Sequence, residues 1–237
     1  MVLKRKNKEH LTEKQRSLIT HFEPKSPISE QYRTLRSNIQ FAGLENEMRL
    51  ITVTSTLPGE GKSTTAANLA IVLAQQEHNV LLIDADMRKP TNHYTFQLDN
   101  HTGLTKILTQ NVPLGDVTQE SAILGLDVLT CGPIPPNPAE LLSMKRMDWL
   151  LQEAKKQYDY VILDTPPILP VTDGQILANK SDGVLLVVSS GKTGIEGAKK
   201  AKELLEQAKG KLLGVVLNGK DKKNSNYYYY YGENSDK

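Results

Sequence analysis

The chain has 237 residues, of which 38% are hydrophobic and 24% charged, and its formal net charge is +2. This length suits one α/β domain with short extensions. The near-neutral charge gives no reason to expect a nucleic-acid partner. The single cysteine, Cys131, excludes a disulfide framework and a cluster of thiolate metal ligands, as is typical of a reducing compartment. No apolar run approaches a membrane span and the N-terminus is polar, so we expect a cytoplasmic protein.

The predicted elements begin after an N-terminal segment, residues 1–25, which we expect to be irregular and flexible. Its first eight residues are basic, which fits either a solvated tail or a contact with an anionic membrane surface. From Pro27 to about residue 43 the apolar residues recur at helical spacing. Continuous apolar runs then predict strands that are buried on both faces, at 50–55, 80–84, 126–130, 160–164, 183–189 and 212–218.

Helical stretches alternate with these strands, at 62–76, 138–156 and 194–208. This order predicts an α/β fold of the P-loop NTPase type, with a mostly parallel central sheet and helices on both faces. We expect the domain to span residues 26–220 and a flexible tyrosine-rich tail to span 221–237. Ligands of such sheets bind at the carboxyl ends of the strands, so the functional residues should follow the predicted strands.

The segment after the first strand reads STLPGEGKSTTAANLA and predicts a phosphate-binding loop that opens a helix. Glycines let backbone N–H groups approach phosphate, Lys62 would reach the β and γ oxygens, and the Ser63 hydroxyl would bind Mg²⁺. The match to the strict pattern is incomplete, because Thr56 stands where that pattern has glycine. The expected ligand is ATP with Mg²⁺. The residues predicted to bind it are Pro58, Gly59, Glu60, Gly61, Lys62, Ser63, Thr64 and Asn218.

Carboxylates follow two of the predicted strands, with Asp84 and Asp86 after the second and Asp164 after the fourth. They should project toward the same sheet edge as the phosphate loop, and Mg²⁺ prefers such oxygen ligands. Ser63, Asp86 and Asp164 are the predicted metal-binding residues. Asp84 and Asp86 are two positions apart and should face the same way. The alternative is that these aspartates cap the helices that follow them.

Two further residues each have more than one interpretation. Arg88 balances the local negative charge, contacts phosphate or is an ordinary surface residue. Asn218 precedes Gly219, so it either forms a simple turn or pairs with the N6 and N7 edge of adenine.

Together, the phosphate loop, the DxDxR pattern of Asp84, Asp86 and Arg88, and the ILDTPP segment at 162–167 resemble the bacterial tyrosine kinases (BY-kinases) of capsular and exopolysaccharide synthesis. The resemblance runs from SEQYRTLRSNI to the tyrosine tail. It implies a protein-tyrosine kinase that works with a membrane modulator, which would be a separate chain. Such a partner would recruit the kinase to the inner face of the plasma membrane, and isolated kinases of this type can need it for activity.

The C-terminal tail contains five consecutive tyrosines among polar residues. Tyrosines of a core have apolar neighbours at regular spacing, so this cluster is either a partner-binding tail or a set of phosphate acceptors. The resemblance implies autophosphorylation. Nine steps from Asn218 to the first tyrosine span at most about 30 Å, so the tail can reach a neighbouring active site. The predicted phosphorylation sites are Tyr227, Tyr228, Tyr229, Tyr230 and Tyr231.

Glu30, Arg33 and Arg36 recur every three residues on the first predicted helix and share one face. By themselves they indicate a surface ion pair. In similar kinases this motif joins subunits into a ring, so the resemblance implies a homo-oligomer with these residues at its interface.

The predicted catalytic residues are Lys62, Asp84 and Asp86. Lys62 and the loop amides would hold the phosphates, and Asp84 would accept the phenol proton, a role that Asp86 could exchange with it. Two other functions stay open. A switch ATPase of the partition or site-selection type is disfavoured, because those proteins carry a second lysine where this chain has Leu57. An adaptor that another kinase phosphorylates would show no activity of its own.

Overall fold

The computed structural model describes residues 18–43 and 47–220. The expected flexible tail and most of the expected flexible N-terminal segment lie outside these ranges. The α-helices of the described residues are α1 (Ile19–Phe22), α2 (Pro27–Ala42), α3 (Lys62–Ala74), α4 (Asn92–Phe96), α5 (Leu104–Gln110), α6 (Pro138–Ser143), α7 (Lys145–Gln157), α8 (Asp173–Lys180) and α9 (Ile195–Gln207). The strands are β1 (Leu50–Ser55), β2 (Val80–Asp84), β3 (Gln119–Glu120), β4 (Leu126–Leu129), β5 (Tyr160–Asp164), β6 (Gly183–Ser189) and β7 (Leu212–Asn218).

Within the described ranges the strands form one sheet in the order β3-β4-β2-β5-β1-β6-β7. The pairings are parallel except that of β3 with β4, which is antiparallel. Strand β1 lies between β5 and β6. The loop after β1 therefore has the carboxyl ends of β5 and β2 on one side and those of β6 and β7 on the other. This topology confirms the predicted fold class.

Helices cover both faces of the sheet, and side chains of the central strands alternate between two hydrophobic clusters. In β2, Leu81 and Ile83 pack on the face that carries α5 and α7, whereas Val80 and Leu82 pack on the face that carries α3. All four side chains are completely buried. Burial on both faces explains why the strands appear in the sequence as continuous apolar runs.

A short helix, α1, lies within the segment predicted to be irregular. It docks on the helix after the phosphate loop, since the backbone N–H and the hydroxyl of Thr20 both donate to Asn68 Oδ1, at 3.0 and 2.8 Å. Leu18 is buried beside it. The expectation was therefore wrong for residues 19–22, because contacts with a distant helix order a stretch that has no helical periodicity of its own.

The helix predicted over 138–156 is two helices, α6 and α7. Met144 between them has an extended backbone, with φ −63° and ψ 149°. Both helices pack against α5, but α6 also packs against α8, whereas α7 packs against β5. No proline or glycine marks the break in the sequence, and the different packing partners of the two helices account for it.

Candidate active site

The loop between β1 and α3 has two glycines in the left-handed region. Gly59 has φ 81° and Gly61 has φ 95°, values that residues with a side chain rarely adopt. Thr56 is not among the described residues with positive φ, so the position that departs from the strict pattern does not require glycine here. Because α3 begins at Lys62, its unpaired N–H groups lie at the loop, as an anion site requires.

Glu60 and Gly61 fasten this loop to the β6–β7 side of the sheet. The buried Glu60 side chain accepts a hydrogen bond from the Leu57 N–H at 2.9 Å and another from the Thr193 hydroxyl. The Asn218 amide donates to the Glu60 carbonyl at 2.9 Å. A Cβ at residue 61 would lie 2.0 Å from Asn218 Nδ2. Glycine is therefore required there by this contact as well as by φ.

Both ends of the Asn218 side chain have partners within the protein. Its Nδ2 binds the Glu60 carbonyl, and its Oδ1 accepts a hydrogen bond from the Gly219 N–H at 2.8 Å. The hydrogen bond with Gly219 is the contact that the turn interpretation expects, and the amide makes an additional contact to the loop. Thr193 was not predicted at all, because a lone threonine after a strand carries no signal of a partner that is far away in the sequence.

Lys62 lies at the centre of a buried charged cluster. Its Nζ is 2.8 Å from Asp86 Oδ2 and 3.2 Å from Asp164 Oδ1, and it donates to Ser63 Oγ at 3.1 Å. Side-chain exposure is 11% for Lys62, 6% for Asp86 and 0% for Asp164. Burial acts to lower the pKa of Lys62, but the two carboxylates outweigh it and raise the pKa. Lys62 therefore stays charged and neutralises one of two neighbouring acids.

Asp84 lies beside this cluster and is completely buried. Its Oδ2 accepts hydrogen bonds from the N–H groups of Thr91 and Asn92, at 3.0 and 2.9 Å, where α4 begins. The Asn92 side chain also donates to Asp164 Oδ2 at 3.0 Å. Burial, and then the charge of Asp164, raise the pKa of Asp84 to about 8. Asp84 thus caps a helix, and its surroundings disfavour its charged form.

A cavity of about 660 Å³ opens beside the loop, and of the three strand-end carboxylates only Asp86 lines it. We expected Asp84 and Asp86 to face the same way on one strand. They do not, because β2 ends at Asp84 and Asp86 lies beyond it. Asp86 Oδ1 instead accepts hydrogen bonds from the N–H groups of Arg88 and Lys89. Asp84, the residue expected to accept the phenol proton, does not line this cavity. The predicted ATP-binding residues that line it are Pro58, Gly59, Gly61, Lys62, Ser63 and Thr64.

Arg88 binds a carboxylate that the sequence did not indicate. Its Nε and Nη2 are each 3.0 Å from an oxygen of Asp173, a bidentate pair. Asp173 is completely buried, whereas the Arg88 side chain is 42% exposed. Hydrogen bonding to Asp173 raises the pKa of Arg88. The pair joins the loop after β2 to the start of α8, so Arg88 balances a negative charge, as one of its interpretations had it.

Residues 48–214 match a family model described as an AAA domain. The chain is 57% identical over 218 residues to the tyrosine-protein kinase YwqD of Bacillus subtilis, and the match covers 92% of each chain. The chain belongs to the bacterial tyrosine-protein kinases. It is also 44% identical to the putative tyrosine-protein kinase CapB of Staphylococcus aureus, over 91% of this chain and 95% of that one.

A solved structure, the kinase domain of the Escherichia coli tyrosine kinase ETK, superposes on this one with a TM-score of 0.85. The two are 35% identical, and the match covers 97% of this chain and 88% of that one. The family and the kinase class expected from the sequence are thereby confirmed. The alternative function, a switch ATPase of the partition type, is disfavoured further, because a tyrosine kinase matches almost the whole chain.

In this tyrosine kinase, the oxygen donors near Lys62 fit a magnesium ion that is shared with a nucleotide. The described residues contain no group of three or more His, Cys, Asp and Glu side chains that could hold a metal by themselves. Ser63, Asp86 and Asp164 instead offer a hydroxyl and two carboxylates around Lys62 Nζ. Mg²⁺ typically takes one or two carboxylates, and phosphates and waters complete its shell.

The residues of the expected ring motif lie on α2, and none of them lines the cavity. Arg33 Nη1 is 2.9 Å from Glu30 Oε2, an exposed pair within one helix. Arg36 Nη1 donates to the Val72 carbonyl at 2.6 Å, in the last turn of α3. Arg36 therefore joins two helices of one subunit.

The tyrosines 227–231 of this kinase lie outside the described residues. The chain leaves β7 at Asn218, which contacts the phosphate loop. Asn218, three residues before the expected tail, therefore lies against the phosphate loop. In the part of the chain that the structure describes, no helix has both the length and the apolar character needed to cross a bilayer.

Proposed function

We propose that this chain is an ATP-dependent protein-tyrosine kinase that transfers the γ-phosphoryl group of ATP to tyrosines of its own C-terminal cluster. The observation that carries this proposal is the meeting of Lys62, Ser63, Asp86 and Asp164 beside one glycine loop. These residue types at a helix N-terminus are what a nucleoside triphosphate and its metal require. The identity with curated tyrosine kinases supports tyrosine as the acceptor.

The phosphates would lie in the loop of residues 58–64, where backbone N–H groups and Lys62 hold them. Ser63, Asp86 and Asp164 are the residues that would hold Mg²⁺, which when bound neutralises charge on the phosphate oxygens. Lys62 now contacts both carboxylates. Its third N–H donates to Ser63 Oγ, so Lys62 must exchange at least one of these three partners for a phosphate oxygen when ATP binds. Asn218 and Glu60 keep the loop in the shape that this binding needs.

We assign acceptance of the phenol proton to Asp86 rather than Asp84, and while Asp86 serves as proton acceptor, Ser63 and Asp164 are the protein ligands left for Mg²⁺. Asp86 lines the cavity, whereas Asp84 is buried and holds α4. Free tyrosine, with a pKa of about 10, is far more basic than an aspartate, so the proton should leave the phenol late in the transfer. Catalysis then depends mainly on positioning and on stabilising charge at the phosphoryl group.

The regulatory setting follows from the family. We propose that a separate membrane modulator recruits the kinase to the inner face of the plasma membrane and that the pair regulates exopolysaccharide or capsule synthesis. We also propose a ring of identical subunits joined through Glu30, Arg33 and Arg36, in which each tail reaches the active site of a neighbour. Each phosphate adds about −1.5 to −2 charges, so a fully phosphorylated tail would repel similar neighbours.

Mass spectrometry of the 220–237 peptide tests the proposal. After incubation with ATP and Mg²⁺, with and without a modulator segment, we expect phosphotyrosine in the wild-type peptide and none in Lys62→Met. Lys199→Met is a matched control, because Lys199 is exposed and pairs only with Glu196 among the described residues. Tail labelling that survives in Lys62→Met would contradict the assignment. A wild-type chain that stays unlabelled even with the modulator segment would favour the adaptor instead.

A further inference from the structure

One wall of the cavity is apolar and has no part in holding phosphate. It is formed by Pro166, Pro167, Pro170 and Val171, in the loop between β5 and α8, and we refer to these four residues as the apolar shelf. Pro166 and Pro167 are buried in the fold, Pro170 is exposed and Val171 is half-buried. The shelf thus places apolar surface in the same cavity as Asp86.

The shelf is held rigidly against the strand that carries the phosphate loop. The Thr54 hydroxyl donates to the Pro166 carbonyl at 2.8 Å, and the Ile168 N–H donates to the Ser55 carbonyl at 2.8 Å. The prolines also restrict the backbone angle φ of their own positions. Ser55 immediately precedes the loop. The Pro166 end of the shelf is therefore fixed next to the phosphate site.

The position of the shelf in the sheet indicates what binds there. It follows β5, and Asp86 follows β2, so both lie on the β5–β2 side of the phosphate loop. Asn218 and Thr193, which fasten the loop, lie on its β6–β7 side. A nucleotide whose base lies toward Asn218 would direct its terminal phosphate toward Asp86. The shelf would then flank the end of the nucleotide that reacts.

We propose that the apolar shelf binds the phenol ring of the acceptor tyrosine, taken from the 227–231 cluster, and that the phenol hydroxyl points toward Asp86. This proposal rests on the proposed kinase function and names the binding surface of its second substrate. A phenol has a large apolar ring and one polar end, which matches an apolar wall beside a carboxylate. A serine or threonine side chain is too small to cover the shelf.

The reaction at this surface is a single displacement. The phenol oxygen forms a bond to the γ-phosphorus while the bond from that phosphorus to the bridging oxygen of ADP breaks. The phenol proton leaves late in the transfer and passes to solvent. The shelf takes part only by holding the ring, so it should influence the KM for the acceptor more than the KM for ATP.

Steady-state kinetics with a synthetic acceptor tests the shelf in the full chain. The acceptor is a peptide of the 220–237 sequence in which four of the five tyrosines are serine. For Val171→Asp we expect the KM for this peptide to rise at least about tenfold, since a charge replaces apolar contact with the ring. We expect the KM for ATP to change much less. Val171→Ile, which keeps the apolar surface, should retain an acceptor KM close to that of the wild type.

Thr172→Asp is the matched control. It adds the same charge at the next residue, which is exposed and lines a different surface depression, with Ser143 and Asn179. Both of its KM values should equal those of the wild type. If Val171→Asp fails to fold, Pro170→Asp tests the same prediction at an exposed residue.

Three results would contradict the proposal that the shelf binds the phenol ring. The acceptor KM could stay unchanged in Val171→Asp and Pro170→Asp, it could rise equally in Thr172→Asp, or the KM for ATP could rise as much as that for the peptide. The last result would place the adenine on the shelf. A peptide with phenylalanine in place of its tyrosine separates this proposal from the kinase function. Its binding, followed by fluorescence anisotropy with ADP present, should weaken in Val171→Asp even if no phosphate were transferred.

Discussion

The Asn218 side chain donates a hydrogen bond of 2.9 Å to the carbonyl of Glu60, so the last residue of β7 holds the middle of the phosphate loop. The same residue stands three positions before the expected tyrosine-rich tail, 221–237. A Cβ at Gly61 would collide with this amide. The shape of the nucleotide site thus depends on a strand that is distant from it in the sequence.

Removing the Asn218 amide should weaken nucleotide binding by loosening the loop. Loss of one hydrogen bond costs about 1 kcal/mol, so Asn218→Ala should raise the Kd for ADP about fivefold, measured by calorimetry. Asn179→Ala is a matched control, because Asn179 also donates one hydrogen bond to a carbonyl, that of Ala208, away from the site. Inorganic triphosphate should lose as much affinity as ADP. A loss confined to ADP would favour pairing of Asn218 with adenine.

The hydrogen bond from Thr193 to Glu60 should have a similar influence on the loop. In Thr193→Val, a buried carboxylate oxygen of Glu60 and the Ser189 N–H both lose their partner. We expect the KM for ATP to rise several-fold with a smaller change in kcat, because the shape of the loop and not the chemistry is altered. Thr193→Ser keeps the hydroxyl and should restore the wild-type KM. Equal defects in both variants would show that the hydroxyl is not the group that matters.

The pH dependence of stability should report the buried Asp84. Its pKa is raised to about 8 in the folded chain, against about 3.9 when unfolded. The folded protein therefore binds more protons than the unfolded one between about pH 4 and 8, and Asp84 lowers stability as the pH rises through that window. Asp84→Asn keeps an oxygen for the N–H groups of Thr91 and Asn92. Without Mg²⁺, its Tm relative to the wild type should therefore increase from pH 5 to pH 8. A difference in Tm that is constant over this pH range would show that the pKa of Asp84 is not raised.

Breaking the pair of Arg88 and Asp173 should destabilise the fold, because Asp173 is completely buried. Loss of one partner of a buried pair costs about 3–5 kcal/mol, and we expect roughly 1–2 kcal/mol for Arg88→Met, since the guanidinium is partly exposed and screened. The double variant Arg88→Met/Asp173→Asn should recover part of this loss in urea unfolding. Arg33→Met removes a pair whose glutamate is mostly exposed and should cost under about 1 kcal/mol. Equal losses in both arginine variants would contradict this account.

The main strands and the chemical character of their carboxyl ends could be predicted from the amino-acid sequence. The predicted bounds of β1, β2, β5, β6 and β7 agree with the structure. Strands buried on both faces must be continuously apolar, and a phosphate loop needs its glycines, lysine and serine next to one another. Both signals lie in consecutive residues, so one sequence is enough to find them.

The role of each residue at the site, in contrast, depends on contacts between distant parts of the chain. The tertiary structure turned Asp84 into a helix cap and left Asp86 on the cavity wall. It also paired Arg88 with Asp173, and it ordered α1 through Asn68. Each of these contacts joins residues that are separated in the chain, and the composition of a segment does not record which distant segment packs against it. Side-chain roles at the site therefore follow from packing.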